Sequence, residues 1–420
     1  MKDLNLNAVK YVVRQSDKTG LYCHMTTKEK LLLLVLACVN FTHIVDFMIL
    51  MPLGPQLMTI FNIKPYQFGI VVSAYGFAAA VSGFTLAFFA DKFDRKNLLL
   101  MAYIGFVAGT FACALSPSYE WLIAARIVSG IFGGLIGSQV LSIVADKFDY
   151  ERRGSAMSII MTAFSVASVV GVPGGLYLAN MFNWHAPFYT VGGLGIIVIG
   201  LIFFFVPQVN EHLATKQPKR NPFAVITDIL KTPNQLWALA LSTVIMLGHF
   251  SIIPYIAPTL VSNIGYSQDD IYLIYLIGGA LTIFSAPIVG KLADRKGKYP
   301  VFVTFALLSM IPIWLLTNLV PTPVYVVLII SGLFFIFTNG RIIPTQAMVS
   351  SVVTPQQRGG FMAINSSVQL LAQAIATSIG GAIIIQEKSG YMAHYNWVGY
   401  YAMFMLFISI FIAKKVKAVS

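Results

Sequence analysis

Charge is the scarcest commodity in this chain. Asp, Glu, Lys and Arg together make up 10% of its 420 residues, against 57% for the hydrophobic set. A soluble domain carries about 25% charged residues, so no water-exposed surface can be built from this composition, and a soluble globular protein is excluded. Cysteine is scarce too. Cys23, Cys38 and Cys113 are odd in number and two of them fall inside apolar runs, which leaves neither a disulfide framework nor a metal-ligand spacing. Residues 1 to 24 hold no apolar run of the secretory signal type, so the first hydrophobic segment is expected to do the targeting and residues 1 to 30 read as a cytoplasmic tail. The chain also lacks an intramembrane His-x-x-x-His, a Glu-bearing metal motif, a Gly-x-Ser-x-Gly elbow and a phosphate-cradling glycine loop with its lysine. The expectation is therefore no enzyme, no metal and no cofactor.

What the chain does have is long apolar runs, recurring from Leu31 to Ala413. A spanning helix needs about 20 residues to cross about 30 Å of hydrocarbon. Spans are expected at 31–60, 67–90, 98–116, 120–145, 155–181, 185–207, 237–263, 270–293, 300–319, 323–349, 359–385 and 396–413. The fold class is thus all-α membrane, with twelve transmembrane helices. With the N-terminus inside, 24 of the 28 Lys and Arg fall on the cytoplasmic side, Lys64 and Lys388 fall outside, and Arg126 and Arg341 lie within helices. That asymmetry is the positive-inside pattern and places both termini in the cytoplasm. The net charge of +12 is accounted for by topology, and nucleic acid is not an expected partner.

The chain repeats itself. Asp91, Arg95 and Lys96 in the loop after the second span have a second copy in Gly290 to Lys298, with Asp294 and Arg295; the two aspartates are 203 residues apart. Arg152-Arg153-Gly154 after the fourth span returns as Gln357-Arg358-Gly359 after the tenth, 205 residues on from Arg153. Two pseudo-symmetric six-helix bundles, 31–207 and 237–413, are expected, joined by a polar cytoplasmic linker over 208–236 and followed by a tail over 414–420.

These motifs carry a resemblance. The Asp91 loop resembles the Gly-x-Leu-Ala-Asp-Arg-x-Gly-Arg-Lys signature of the major facilitator superfamily, with Ala87 and Asp94 where that signature has glycine, whereas the second copy keeps both as Gly290 and Gly297. Arg126 followed by Gly130, Gly133 and Gly134 resembles the family's helix-4 motif, and Gly171-Val-Pro173-Gly-Gly175 its helix-5 antiporter motif. The sequence looks like a member of this family, in its twelve-helix drug:proton antiporter branch, from about Met25 onward. The resemblance implies the major facilitator fold, alternating access, a functional monomer and a bacterial inner-membrane location. It also implies conformational latching by Asp91, Arg95, Lys96, Arg153, Asp294, Arg295 and Arg358. Gly171, Pro173 and Gly175 either serve plain packing or, as the resemblance implies, seal the interface between the halves.

One residue stands apart from the apolar background. Asp46 is the only acidic side chain in the interior of a hydrophobic segment, and an intramembrane carboxylate is a functional-site hypothesis by default. It lies about 15 residues, or roughly 22 Å, above the inner end of its helix, and Arg126 about 19 residues, or roughly 28 Å, above the inner end of its own. The two are expected within reach of each other. A neighbouring cation favours the ionised form of a carboxylate and desolvation favours the protonated one, and alternation between those influences is what a proton carrier requires. His43, three residues before Asp46 on the same helical face, is either a hydrogen-bonded packing residue or a proton relay. Asn40 flanks that face and is a candidate substrate contact.

Arg341 has no acidic partner in any second-half segment. It either snorkels toward the cytoplasmic mouth, attracts an anionic group on the substrate, or pairs with Asp46 across the cavity. His249, Tyr255, Tyr275, Gln346, Asn365 and Gln369 are further candidate substrate contacts, with Tyr272 and Gln373 beside them.

The expected function is secondary active transport: proton-coupled efflux of a small lipophilic or amphipathic molecule, its partners being the bilayer, the substrate and protons. The alternative is an uncoupled facilitator or importer of a small metabolite such as a sugar derivative or organic acid. A sensor or scaffold would need a soluble appendage larger than the linker and tail offer.

Overall fold

Twelve helices among the described residues are long and apolar enough to cross a bilayer. They come from a computed structural model that describes residues 25–86, 93–209, 222–354 and 358–419. The first six are α1 (Thr27–Ile49), α2 (Pro65–Leu86), α3 (Arg95–Ala114), α4 (Tyr119–Lys147), α5 (Tyr150–Val166 continued by Val172–Met181) and α6 (Ala186–Phe205). The second six are α7 (Pro233–Phe250), α8 (Ile271–Lys296), α9 (Lys298–Thr317), α10 (Val324–Ser350), α11 (Arg358–Ile383) and α12 (Tyr395–Lys415). Residues 1–24, residues 210–221 of the linker and Asp91 fall outside the described residues. We call the side where α1 begins and α12 ends the basic face.

Local chemistry sets where the helices start and stop. Thr26 caps α1 through a capping box: its hydroxyl accepts from Glu29 N at 3.3 Å while its own N–H donates to Glu29 Oε2 at 2.8 Å. Arg152 at the start of α5 reaches the same carboxylate at 2.6 Å, tying the two helix ends together. Asp94 caps α3 and Ser118 caps α4, each filling the orphan N–H groups of a first turn.

The structure corrects the expected first span. The 31–60 segment is not one helix: α1 ends at Ile49, a turn follows, and a short helix runs over Gly54–Ile60. Pro52 has no N–H to continue the ladder, and Pro55 suits the first turn of a new helix. The seventh span breaks in the same way after Phe250, resuming as Ile253–Thr259 with Pro254 in its first turn.

Packing repeats across the two groups of six. α2 on α4, α3 on α4, α3 on α6, α1 on α6 and α1 on α5 recur as α8 on α10, α9 on α10, α9 on α12, α7 on α12 and α7 on α11. The groups meet along α2 with α11 and α5 with α8. Small residues set the spacing, as close helix approach in membranes requires: a methyl on Gly76 would lie 3.1 Å from Ala374 Cβ, and one on Gly279 of α8 would lie 2.9 Å from Ser168 O and from Val169 Cγ2 of α5. At the face opposite the basic one, Asn180 Nδ2 donates to the carbonyls of Gln268 and Asp269 at 3.4 Å, and Gln56 Nε2 donates to Asn180 Oδ1 at 2.9 Å. Gly54 packs there against Pro258. The halves are sealed together at that face.

This seam gives a direct test. A Val169→Cys, Gly279→Cys pair is expected to cross-link under mild oxidation in native membranes, because its β-carbons fall within disulfide reach. Peptide mapping that finds both thiols free would contradict the packing of α5 on α8.

Candidate functional site

The deepest charges in the first half form one buried network. Asp46 on α1 and Arg126 on α4 are both wholly inaccessible, and Arg126 Nη1 donates to Asp46 Oδ2 at 2.9 Å. Thr110 Oγ1 on α3 donates to Asp46 Oδ1 at 3.0 Å. The guanidinium carbon lies 4.5 Å from the centroid of the Tyr75 ring on α2, and the Tyr75 hydroxyl is hydrogen-bonded to His43 Nε2 at 2.7 Å. Ion pairing, hydrogen bonding and cation–π contact together offset part of the desolvation cost of two buried charges. Nε and Nη2 of Arg126 nevertheless have no partner among the described residues.

Glycines build this geometry. Gly133 of α4 leaves room for the Tyr75 hydroxyl and Gly130 for the Tyr75 backbone, so the ring can lie flat against α4 between His43 and Arg126. In α5, Ala167–Gly171 forms a π-helical turn directly before Pro173; the proline cannot donate to the α-helical ladder, and such bulges recur at functional sites. Gly171 faces Val45, and a methyl on Gly175 would lie 2.7 Å from Ile49 Cδ1. Gly171 and Gly175 thus seat α1 on either side of Asp46, within the first half. The inter-half contact of this segment runs through Ser168 and Val169, which meet Gly279, and through Val172–Met181, which also packs on α8.

The second half holds a different arrangement at the matching place. Arg341 on α10 is buried; its Nη1 donates to Ser309 Oγ on α9 at 3.2 Å, and its Nη2 lies 3.4 Å from His249 Nδ1 on α7. The snorkelling reading is corrected, because Arg341 reaches no solvent. It also makes no ion pair with Asp46, whose carboxylate is engaged by Arg126. His249 follows Asp46 by 203 residues, the offset that separates Asp91 from Asp294, and Phe250 follows Phe47 by the same interval. Phe47 and Phe250 touch across the seam, their centroids 6.2 Å apart; Phe47 also lies 5.3 Å from Tyr75, and Phe250 lies 5.2 Å from His249. An aromatic bridge thus joins the two buried arginine sites.

The remaining candidates scatter. Tyr255 is wholly buried in the α2–α11 seam, where its hydroxyl donates to Thr377 O at 2.7 Å and its ring fills the space left by Gly69 and Gly380. Its expected place among the substrate contacts is corrected, since it is an inter-half packing residue. Tyr275 and Asn365 are buried, and among the described residues neither the Tyr275 hydroxyl nor either amide atom of Asn365 has a partner. Gln373 donates weakly to Met246 Sδ at 3.6 Å. Asn40, Tyr272, Gln346 and Gln369 are half-buried.

Among the expected latch residues, Arg95 pairs with Asp146 at 3.3 Å and Lys96 Nζ donates to Phe203 O at 2.8 Å. Both partners lie in the same half as the loop. Asp91 and the Arg153 side chain fall outside the described residues, and Arg152 is the arginine seen to pair, with Glu29. Asp294, Arg295 and Arg358 are exposed and form no ion pair with a described residue. Sequence reasoning missed Tyr75, Thr110, Ser309 and the Asp46–His249 correspondence; the last was available from the 203-residue offset itself.

A duplicated bundle of twelve helices with buried ionisable groups facing each other near the seam defines a class of secondary transporter. The sequence profile of the Major Facilitator Superfamily matches residues 36–343, and the chain belongs to that superfamily. The Bacillus subtilis (strain 168) protein YbcL, described as an uncharacterized MFS-type transporter, is 24% identical over 370 residues, covering 87% of this chain and 91% of that protein. A probable sugar efflux transporter of Helicobacter pylori (strain G27) is 23% identical over 253 residues, 60% of this chain and 62% of that one. Among solved structures, an inward-facing bacterial homologue of the human lysosomal transporter Spinster superposes with a TM-score of 0.76 at 15% identity, over 93% of this chain and 98% of its own. A D-xylose–proton symporter does so with a TM-score of 0.76 at 17% identity, over 92% and 98%. These likenesses establish the major facilitator fold. The chain is a multi-pass membrane transporter of that superfamily, a family of carriers and not of enzymes.

The buried pair makes a stability prediction. Asp46→Asn leaves Arg126 charged and unpaired and is expected to destabilise the protein by about 3–5 kcal/mol. Asp46→Asn combined with Arg126→Gln should recover part of that loss. Thermal denaturation of the purified single and double variants checks this, and additive losses would mean that the two side chains do not interact.

Proposed function

We propose that the protein is a proton-coupled exporter of a small amphipathic molecule, of the drug:proton antiporter type, with Asp46 as the proton-carrying group. The observation that carries this reading is the Asp46–Arg126 contact: the one carboxylate deep in the apolar part of the chain is held by a permanent cation at 2.9 Å and by Thr110. In the state sealed at the face opposite the basic one, Asp46 is ionised and Arg126 is its partner. Reopening that face moves α1 relative to α4, breaks the pair and leaves a desolvated carboxylate that takes up a proton. Proton uptake thereby drives the opposite movement of substrate in an alternating-access cycle. A charge crossing 100 mV yields about 2.3 kcal/mol, which sustains a gradient of a few tens-fold.

His43 and Tyr75 relay or tune that proton, and the charged loops of the basic face, including Asp91, Arg153, Asp294, Arg295 and Arg358, hold the alternative state. The positive-inside asymmetry supports cytoplasmic termini, and the family resemblance supports a bacterial inner-membrane protein acting as a monomer. A second reading, a carrier for a sugar derivative or organic acid, draws support from the buried Arg341 and from the sugar-transporting relative and neighbour. It retains Asp46 as a binding group without proton exchange.

Everted vesicles separate the two. Coupled transport of a panel of lipophilic cations, neutral compounds and organic anions is expected to collapse with the pH gradient and to be lost in Asp46→Asn, with substrate exchange at equal pH retained. Transport that ignores the pH gradient would sink the coupling proposal. Reporter fusions at residues 2 and 420 are expected to be active only in cytoplasmic form; a periplasmic signal from either overturns the topology.

A further inference from the structure

The internal repeat places an acid beside the first buried arginine and a neutral base beside the second. Asp46 serves Arg126, while His249, the residue 203 positions later, stands next to Arg341. Arginine has no acceptor atom, so in that contact His249 Nδ1 accepts from Arg341 Nη2 and its imidazole is neutral. Ser309 is the other partner. Among the described residues no carboxylate lies within ion-pair distance of Arg341. The first half is therefore internally neutralised, and the second carries a whole positive charge in an apolar interior, a condition that costs several kcal/mol unless a counter-charge arrives.

Arg341 Nε has no partner and Nη2 only the long contact to His249. Together they form the guanidinium edge that a carboxylate engages side-on through two parallel hydrogen bonds. Thr338, one turn earlier on the same face of α10, has a buried hydroxyl with no partner. Around these groups the walls are aromatic: Phe334 stacks on His249 at 6.2 Å and Phe250 meets it edge-on.

We propose that Arg341 is the substrate's anion-binding residue, and that the transported molecule is an amphipathic carboxylate whose acid binds the Nε–Nη2 edge of Arg341 and supplies the counter-charge that Asp46 supplies to Arg126. Resting on the transporter reading, it names the class of its substrate. Thr338 and Ser309 complete the polar end of the site, and the Phe250–Phe47 bridge accommodates the apolar part.

The test is an equilibrium measurement with no pH gradient, so its outcome is independent of whether protons drive transport. The thermal midpoint of the purified full chain is followed with phenylbutyrate, phenylbutanol and phenylpropyl-trimethylammonium. Phenylbutyrate alone is expected to raise the midpoint, saturably. Arg341→Lys, which lacks the bidentate edge, should weaken that response about 10-fold or more. His249→Asp, which installs the repeat's acid, should abolish it and also covers the case in which Arg341→Lys fails to fold. Equal shifts from all three compounds, no shift from the carboxylate, or an undiminished carboxylate shift in the Arg341 and His249 variants would each overturn the proposal.

Discussion

The interior of this protein cannot afford a bare charge, and most of its local architecture follows from that constraint. An ion stranded in a low-dielectric medium must find a partner, change its protonation or be reached by water. Asp46 and Arg126 solve the problem mutually at 2.9 Å, but only because several elements bring them together. Gly171, the last residue of the π-helical turn, and Gly175, after Pro173, seat α1 at Val45 and Ile49. The glycine stripe of α4 admits Tyr75, whose ring covers the guanidinium. Thr110 fixes the second carboxylate oxygen. Each of these small residues is unremarkable alone, and their joint effect is to hold one ion pair.

The same constraint reads differently in the second half. Duplication preserved the helix packing and even the aromatic residue after the key position, Phe47 and Phe250, while the chemistry diverged from Asp to His. A symmetric scaffold thus carries two unlike electrostatic sites, joined by a phenylalanine contact across the seam between the halves. One site is self-sufficient in charge and the other has no carboxylate partner among the described residues.

Much of this was legible before any coordinates. Twelve spans follow from apolar runs because a bilayer demands them, and the depth of Asp46 and Arg126 follows from helical rise. The misreadings have physical causes. Hydropathy does not register that Pro52 ends a helix inside an apolar run. Periodicity shows that Gly171 and Gly175 share a face, but not whether that face meets α1 or the other half. The snorkelling reading of Arg341 counted residues to the helix end and ignored side-chain direction: in a helix the Cα–Cβ bond tilts toward the N-terminus, which for α10 points away from the basic face and toward His249. Tyr75 and Thr110 carried no signal, since an aromatic and a hydroxyl in a membrane helix are commonplace until their partners are placed.

The central claim is that one carboxylate, Asp46, carries the transported proton. Infrared difference spectroscopy of the reconstituted protein across a pH titration tests it most directly. The account predicts a protonated-carboxyl stretch that appears reversibly as the pH is lowered in the wild type and is missing in Asp46→Asn. The same band at full intensity in Asp46→Asn, or no titrating carboxyl in the wild type, would contradict it.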